Sequence, residues 1–339
     1  MLRLSLTLLT ILGLASCDCE SGPTGSHAFV QNFIVSESPR QPSRTSLKRF
    51  QSSLKRLSFE ELIELTDLIH QTPDSSFKET SSTDVLAQEI WNRNPDLLGF
   101  HSALGGLGED GRFNNQFLTM IAKTDPEGGW KMMSAYYLAD YRAGNSGFTH
   151  GTAMPFFEGL QMHHPDKARL FFKEVAEQPQ FETGNLKIQA YSGILNGIKT
   201  PAEAISLMTW LREEKIEQRP IGSHATWDSD FLKISPGDME IQTTLANALI
   251  MLAEISPTAA EEWIVKNDEA GSLPRSWARA YLRGAKRSEN HSLEAASQFI
   301  ARVSKPGDGT LENLLEESIF EVPPTERQKL FKIQAETKR

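Results

Sequence analysis

Two signals recur together along most of this chain, and they leave few folds open to it. Apolar residues stand at helical spacing, and prolines punctuate the helices they imply. Ile241, Leu245, Ala248, Leu249, Leu252 and Ile255 fall at offsets 0, 4, 7, 8, 11 and 14. Trp277, Ala280, Tyr281, Gly284 and Ala285 fall at 0, 3, 4, 7 and 8. Leu293, Ala296, Ile300 and Val303, and Leu311, Leu314, Leu315 and Ile319, follow the same template. Each set lies on one face of a helix, and that face must be buried against another helix. Near the start of the pattern, Ser58-Phe59-Glu60-Glu61 has the form of a capping box, followed by the stripe Phe59, Leu62, Ile63, Leu65 and Ile69. No alternating run of β-branched residues competes with this reading. The expected fold is all-α, with roughly a dozen or more helices.

The prolines follow a polar residue each time: Asn94-Pro95, Asp125-Pro126, His164-Pro165, Thr200-Pro201 and Ser256-Pro257. Proline fits the first helical turn, where its missing N–H costs nothing, and the polar residue before it can cap. Alanine follows one turn later in Ala168, Ala204 and Ala260. The prolines are 31, 39, 36 and 56 residues apart. The first three intervals fit one helix hairpin each, and the last fits a hairpin plus an insert. The pattern resembles the α-solenoid arrays of the tetratricopeptide and HEAT kinds over residues 84–320. That resemblance implies stacked helix hairpins. A closed α/α toroid is the alternative.

The first residues carry a different signal. Arg3 precedes an apolar run from Leu4 to Leu14, too short to span a bilayer and of signal-peptide length. It ends in Leu14-Ala15-Ser16-Cys17, which resembles the lipobox of bacterial lipoproteins. The resemblance implies that 1–16 is a signal peptide, that Cys17 is the lipid attachment site, and that the protein is lipid-anchored in the cell envelope on the periplasmic side. Asp18 resembles an inner-membrane retention signal. Residues 17–45, rich in Ser, Pro, Gly and Arg, are expected to form a flexible tether, with a short extended piece at 27–35. Residues 46–339 are expected to form the helical repeat domain. Six basic residues and no acidic one lie from Arg40 to Arg56 (Arg40, Arg44, Lys48, Arg49, Lys55 and Arg56). Beside a lipid anchor they suit anionic headgroups; otherwise they are the solvated face of a first helix.

Composition bounds the chemistry. The chain has 35 basic and 44 acidic residues, a net charge of −9, which argues against general nucleic-acid binding. The cysteines are Cys17 and Cys19, so no disulfide framework and no cysteine-rich metal site is expected. Neither a metal nor another cofactor is expected. His163 and His164 are adjacent and diverge on a helix, so His164 reads as a helix-end residue.

Few residues nominate themselves for chemistry. Gly106 to Gly111 matches G-x-G-x-x-G, but it follows a helix rather than a strand and carries Glu109 and Asp110, so it reads as a connector. His150, in the loop from Gly144 to Thr152, and Glu158 are the pair an acid–base cleft would use; a loop histidine and a solvent-facing glutamate are the plainer reading. The longest irregular stretch, 218–235, holds Arg219, His224, Trp227, Asp228 and Asp230, which are nominated as a binding loop for peptide or sugar. Trp91, Trp130, Trp210, Trp263 and Trp277 read as packing residues.

The expected function is a membrane-tethered interaction or scaffold module with an envelope protein partner and no catalytic activity. The alternative is a lyase or hydrolase of envelope polysaccharide or peptidoglycan on a helical toroid. That alternative rests on fold-level analogy alone. A sugar-capturing lipoprotein is a third reading, disfavoured because such chains are longer.

Overall fold

A computed structural model describes residues 23–36, 44–71, 81–93, 96–104, 106–107, 114–142, 153–177, 186–216, 243–268, 273–288 and 292–304, with isolated positions between 325 and 332. The fold is all-α: fifteen helices and no β-strand among the described residues. None of these helices is long and apolar enough to cross a membrane. The chain divides into two compact units, 1–116 and 117–339.

The first unit holds α1 (Pro23–Ser36), α2 (Arg44–Leu54), α3 (Phe59–Gln71), α4 (Ser81–Arg93) and α5 (Leu97–Ala103). Helix α1 corrects the expected tether in its described part, and it replaces the expected extended piece at 27–35. Its reason is burial: Ser26, Val30, Phe33 and Ile34 form a helical stripe, all less than a tenth exposed, packed on α2 and α3. The Phe33 and Phe50 rings stack at 4.7 Å. The Ser58 box forms as expected, with Ser58 N–H donating to Glu61 at 2.7 Å and Glu61 N–H to Ser58 Oγ at 3.2 Å. Arg93, at the end of α4, pairs with Glu89 at 2.8 Å and donates to the carbonyls of Leu54 and Leu57. It thereby satisfies backbone groups at the end of α2 that the helix itself leaves open.

The second unit holds most of α6 (Asn114–Thr124), then α7 (Pro126–Arg142), α8 (Ala153–His163), α9 (Pro165–Glu177), α10 (Leu186–Gly197), α11 (Pro201–Glu213), α12 (Thr244–Ile255), α13 (Pro257–Asn267), α14 (Arg275–Arg287) and α15 (Leu293–Val303). Pro126, Pro165, Pro201 and Pro257 each open a helix. The polar residue before them caps as the sequence implies. Asp125 accepts from Gly128 N–H at 3.0 Å and Ser256 from Ala259 N–H at 3.3 Å. Thr200 and Glu203 form a complete capping box. His164 turns its ring to the Lys123 carbonyl, 2.7 Å away, which closes the end of α6.

A single packing step recurs through this unit in register with the prolines. At Pro126, the carbonyl seven residues earlier (Thr119) and the Cβ four residues earlier (Ala122) press on Gly159 of α8. At Pro165 the same two positions, Glu158 and Gln161, press on Gly197 of α10. At Pro257 they are Ile250 and Ala253, and they press on Gly284 of α14. A Cβ on Gly159 would sit 2.9 Å from Thr119 O, and one on Gly197 2.6 Å from Gln161 Cβ. At these three places the backbones meet directly, α6 on α8, α8 on α10 and α12 on α14; at Pro201 the residue four positions earlier is Gly197 itself, and the step is not made. Among the described residues, the most extensive helix pairs are α8 with α10 and α12 with α14.

The second helices are joined differently. Lys167 of α9 pairs with Glu127 of α7, and Trp130 Nε1 donates to Glu174 at 2.9 Å while its ring stacks on Phe171 at 5.2 Å. Arg169 reaches Ser206 of α11 at 2.9 Å, Lys173 reaches Glu214 just after α11, and Arg212 of α11 donates to Asn267 of α13. One row of helices is thus sealed by small residues and the other latched by polar cross-links. Gln189, buried in α10, accepts from Tyr137 OH at 2.8 Å and from Ala153 N–H at 3.0 Å, tying α7 and the start of α8 to α10.

Two measurements follow from these contacts. Gly197→Ala and Gly284→Ala should each lower stability by about 1–3 kcal/mol through overpacking, although alanine is the better helix former. Urea denaturation checks this, and a stabilised variant would show that the backbones do not approach closely. His101 is fully buried in the first unit, and burial holds its pKa below the ordinary 6.5, against an opposing hydrogen bond to Asn114. The folded state keeps it neutral while the unfolded chain takes up a proton. Its contribution is therefore intact above about pH 6.5 and falls as pH drops below that, by up to about 1.4 kcal/mol per pH unit. His101→Leu should flatten that slope in thermal denaturation at neutral pH and at about pH 5.

Candidate functional site

The place to look is where the repeat is interrupted. The last proline interval is the long one, and the extra chain, residues 217–242, falls between α11 and α12. The nominated binding-loop residues Arg219, His224, Trp227, Asp228 and Asp230 belong to it and lie outside the described residues. Cys17 and His150 lie outside them as well, so the His150–Glu158 pair is not brought together on described ground. Glu158 is half-buried on α8, where its backbone meets Gly193 and Gly197. Gly106 follows α5 at φ +60°, with its N–H on the His101 carbonyl at 2.9 Å, so the start of the glycine-rich motif closes a helix. No group of three or more His, Cys, Asp and Glu among the described residues is placed to hold a metal.

The two ends of the insert are well described. Helix α11 finishes in a Schellman motif: Ile216 N–H donates to the Leu211 carbonyl and Lys215 N–H to the Arg212 carbonyl, both at 3.0 Å. Leu211 and Ile216, the apolar pair of that motif, are buried. On the other side of the insert, Thr244 Oγ1 donates to the Ile216 carbonyl at 2.6 Å, and Tyr191 OH donates to the Thr244 carbonyl. Burial raises the Tyr191 phenol well above its ordinary 10, so it stays a donor. The insert therefore leaves and rejoins the scaffold at one pinned, buried stem.

Beside that stem an open groove of about 640 Å³ separates α11 from α13, lined by Thr209, Arg212, Glu213, Lys215, Trp263 and Asn267. Trp263 is the floor, 5% exposed, with its ring 4.9 Å from Trp277. Asn267 fixes one wall by donating to the Trp263 carbonyl at 2.8 Å while it accepts from Arg212. Lys215 is exposed at the rim. Arg212, Lys215 and Glu213 bring two cations and one carboxylate to a groove that also holds an indole, a lining suited to a side chain that is acidic or aromatic.

Lys215 is the informative residue. Its φ is +56°, the left-handed region, and among the described residues it is the one non-glycine there. The position is the one helix ends reserve for glycine. Keeping a lysine costs about 1–2 kcal/mol, and strain of this kind collects at sites that use the side chain. Sequence reasoning missed it because a lysine beside the polar insert carries no mark of its backbone angle. Lys215→Gly is expected to stabilise the fold by about 1 kcal/mol, read as a raised urea midpoint. A destabilised variant would sink the strain argument.

No protein-family model, no curated protein and no solved structure matches this chain.

Proposed function

We propose that the protein is an interaction module of the cell envelope, anchored by lipid on Cys17, and that the groove between α11 and α13 receives a segment of a partner polypeptide. The observation that carries the reading is the coincidence of three features. The hairpin repeat is interrupted once in the second unit, a groove with Arg212, Lys215 and Trp263 opens beside the interruption, and a strained lysine sits on its rim. Stacks of helix hairpins offer their exposed surfaces to peptides, with repeats as scaffold and inserts on one face as the usual readers. The recurring step at Gly159, Gly197 and Gly284 supports a solenoid of such hairpins. The insert that the sequence nominates for binding, with Arg219, His224, Trp227, Asp228 and Asp230, starts and ends next to this groove. The preferred ligand is an extended segment that carries an acidic side chain beside an aromatic or apolar one.

The test is a photocrosslinking amino acid at Thr209, on the groove, compared with one at Leu170, an exposed position 55% accessible on α9. In the native host, the Thr209 probe should give one discrete polypeptide adduct, the Leu170 probe should not, and Arg212→Ala with Lys215→Ala should abolish the adduct. Equal adducts from both probes, or none from Thr209, would refute the groove. Palmitate labelling of the wild type and its loss in Cys17→Ser tests the anchor separately.

A further inference from the structure

We infer that the exposed side of α2 is a docking surface for an anionic lipid bilayer. Helix α2 and the turn after it put Phe50, Leu54 and Leu57 in the core, each no more than 2% exposed. The opposite side presents Arg44, Lys48, Arg49, Lys55 and Arg56, all exposed. Between the cations stand Thr45, Gln51 and Ser52, small or neutral and also exposed. The strip is about 16 Å long from the rise of an α-helix.

The neighbours leave this charge uncompensated. Helix α1, which packs on α2, contains no acidic residue. Helix α4, also packed on α2, has Glu89 facing inward, where Arg93 takes it. Arg49 lies over the Phe29 ring of α1, 4.4 Å from its centre, which fixes the guanidinium at the surface without neutralising it. Of the acidic residues of α3, Glu61 is the cap partner of Ser58, Glu64 faces His27 of α1 at 3.9 Å and Asp67 is engaged, while Glu60 stands exposed just past the end of the strip.

From Arg44 to Arg56 the chain carries five cations and no acid, which gives non-directional attraction of the kind that matches the smeared charge of a lipid surface. The whole chain is acidic at −9, which opposes long-range attraction to a nucleic acid. The choice of lipid over other polyanions rests on the membrane address proposed for Cys17. Five residues, 18–22, lie between Cys17 and the start of α1, a reach of at most about 20 Å, so an anchored chain keeps the start of α1 within that distance of the headgroups. One chain-type anchor plus a basic strip is the two-signal arrangement that holds a protein stably on a membrane.

The experiment uses the full chain carrying Cys17→Ser, so that no lipid can hold it, and measures flotation with phosphatidylcholine vesicles with and without phosphatidylglycerol. The expected result is binding to the anionic vesicles alone, reversed by salt. Each of Lys48→Gln, Lys55→Gln and Arg56→Gln should lower the partition coefficient about fivefold, and the three together about a hundredfold. An unchanged thermal midpoint shows that the triple variant is folded. Equal binding by the triple variant, equal binding to neutral vesicles, no binding, or capture of an acidic polypeptide or nucleic acid instead of vesicles would overturn the inference. Palmitate labelling is read independently, so failure of the anchor and failure of the strip are distinguishable.

Discussion

The second unit depends on the approach of one helix backbone to another at a glycine. Where Gly159, Gly197 and Gly284 stand, the facing helix presents a carbonyl and a Cβ one turn apart. Helices packed through larger side chains sit further apart, and interfaces of that kind can slide. A glycine against a carbonyl leaves little freedom in register. At these three places one helix is set on another by a contact that does not depend on side-chain conformers, and the polar cross-links between α7, α9, α11 and α13 add to it. The same step occurs at three prolines although the chain between proline and glycine varies from 27 to 33 residues. The conserved quantity is the meeting point of two helices, and the connecting loop absorbs the difference in length.

The parts of this fold that were legible in the sequence are those decided locally. Helix starts at Pro126, Pro165, Pro201 and Pro257, the Thr200–Glu203 and Ser58–Glu61 boxes, and the buried stripes of α12 and α14 all follow from residues within one or two turns of one another. Helix α1 was hidden by composition. Its Gly, Ser and Pro content suggests a tether, yet Ser26, Val30, Phe33 and Ile34 have the same offsets that mark α12. The glycines of the packing step were visible only as members of stripes. Their role is a property of two helices at once, and no single-helix periodicity reports it.

The candidate site was half legible. The long proline interval marked the insert, and the insert begins and ends beside the groove between α11 and α13. What the sequence withheld is the groove next to it, because Arg212 on α11 and Lys215 just past its end meet Trp263 and Asn267 on α13 only once those two helices pack side by side. Trp263 was read as packing, which is true of its ring against Trp277, and it is also the floor of the groove. An aromatic residue can serve both ends when one face is covered and an edge is left at the surface.

The hydrogen bond from Thr244 to the Ile216 carbonyl has an evolutionary reading. Because the scaffold closes the two ends of the insert by itself, the free-energy cost of that closure does not depend on what the intervening residues are, and it grows only slowly with their number. Residues 217–242 can therefore be lengthened, shortened or exchanged wholesale while α11 and α12 keep their places. Diversification in this lineage would be concentrated there, with the flanking hairpins nearly constant, much as recognition loops vary on an unchanging framework. A chimera that carries a foreign segment between Ile216 and Thr243 would keep the stability of its host.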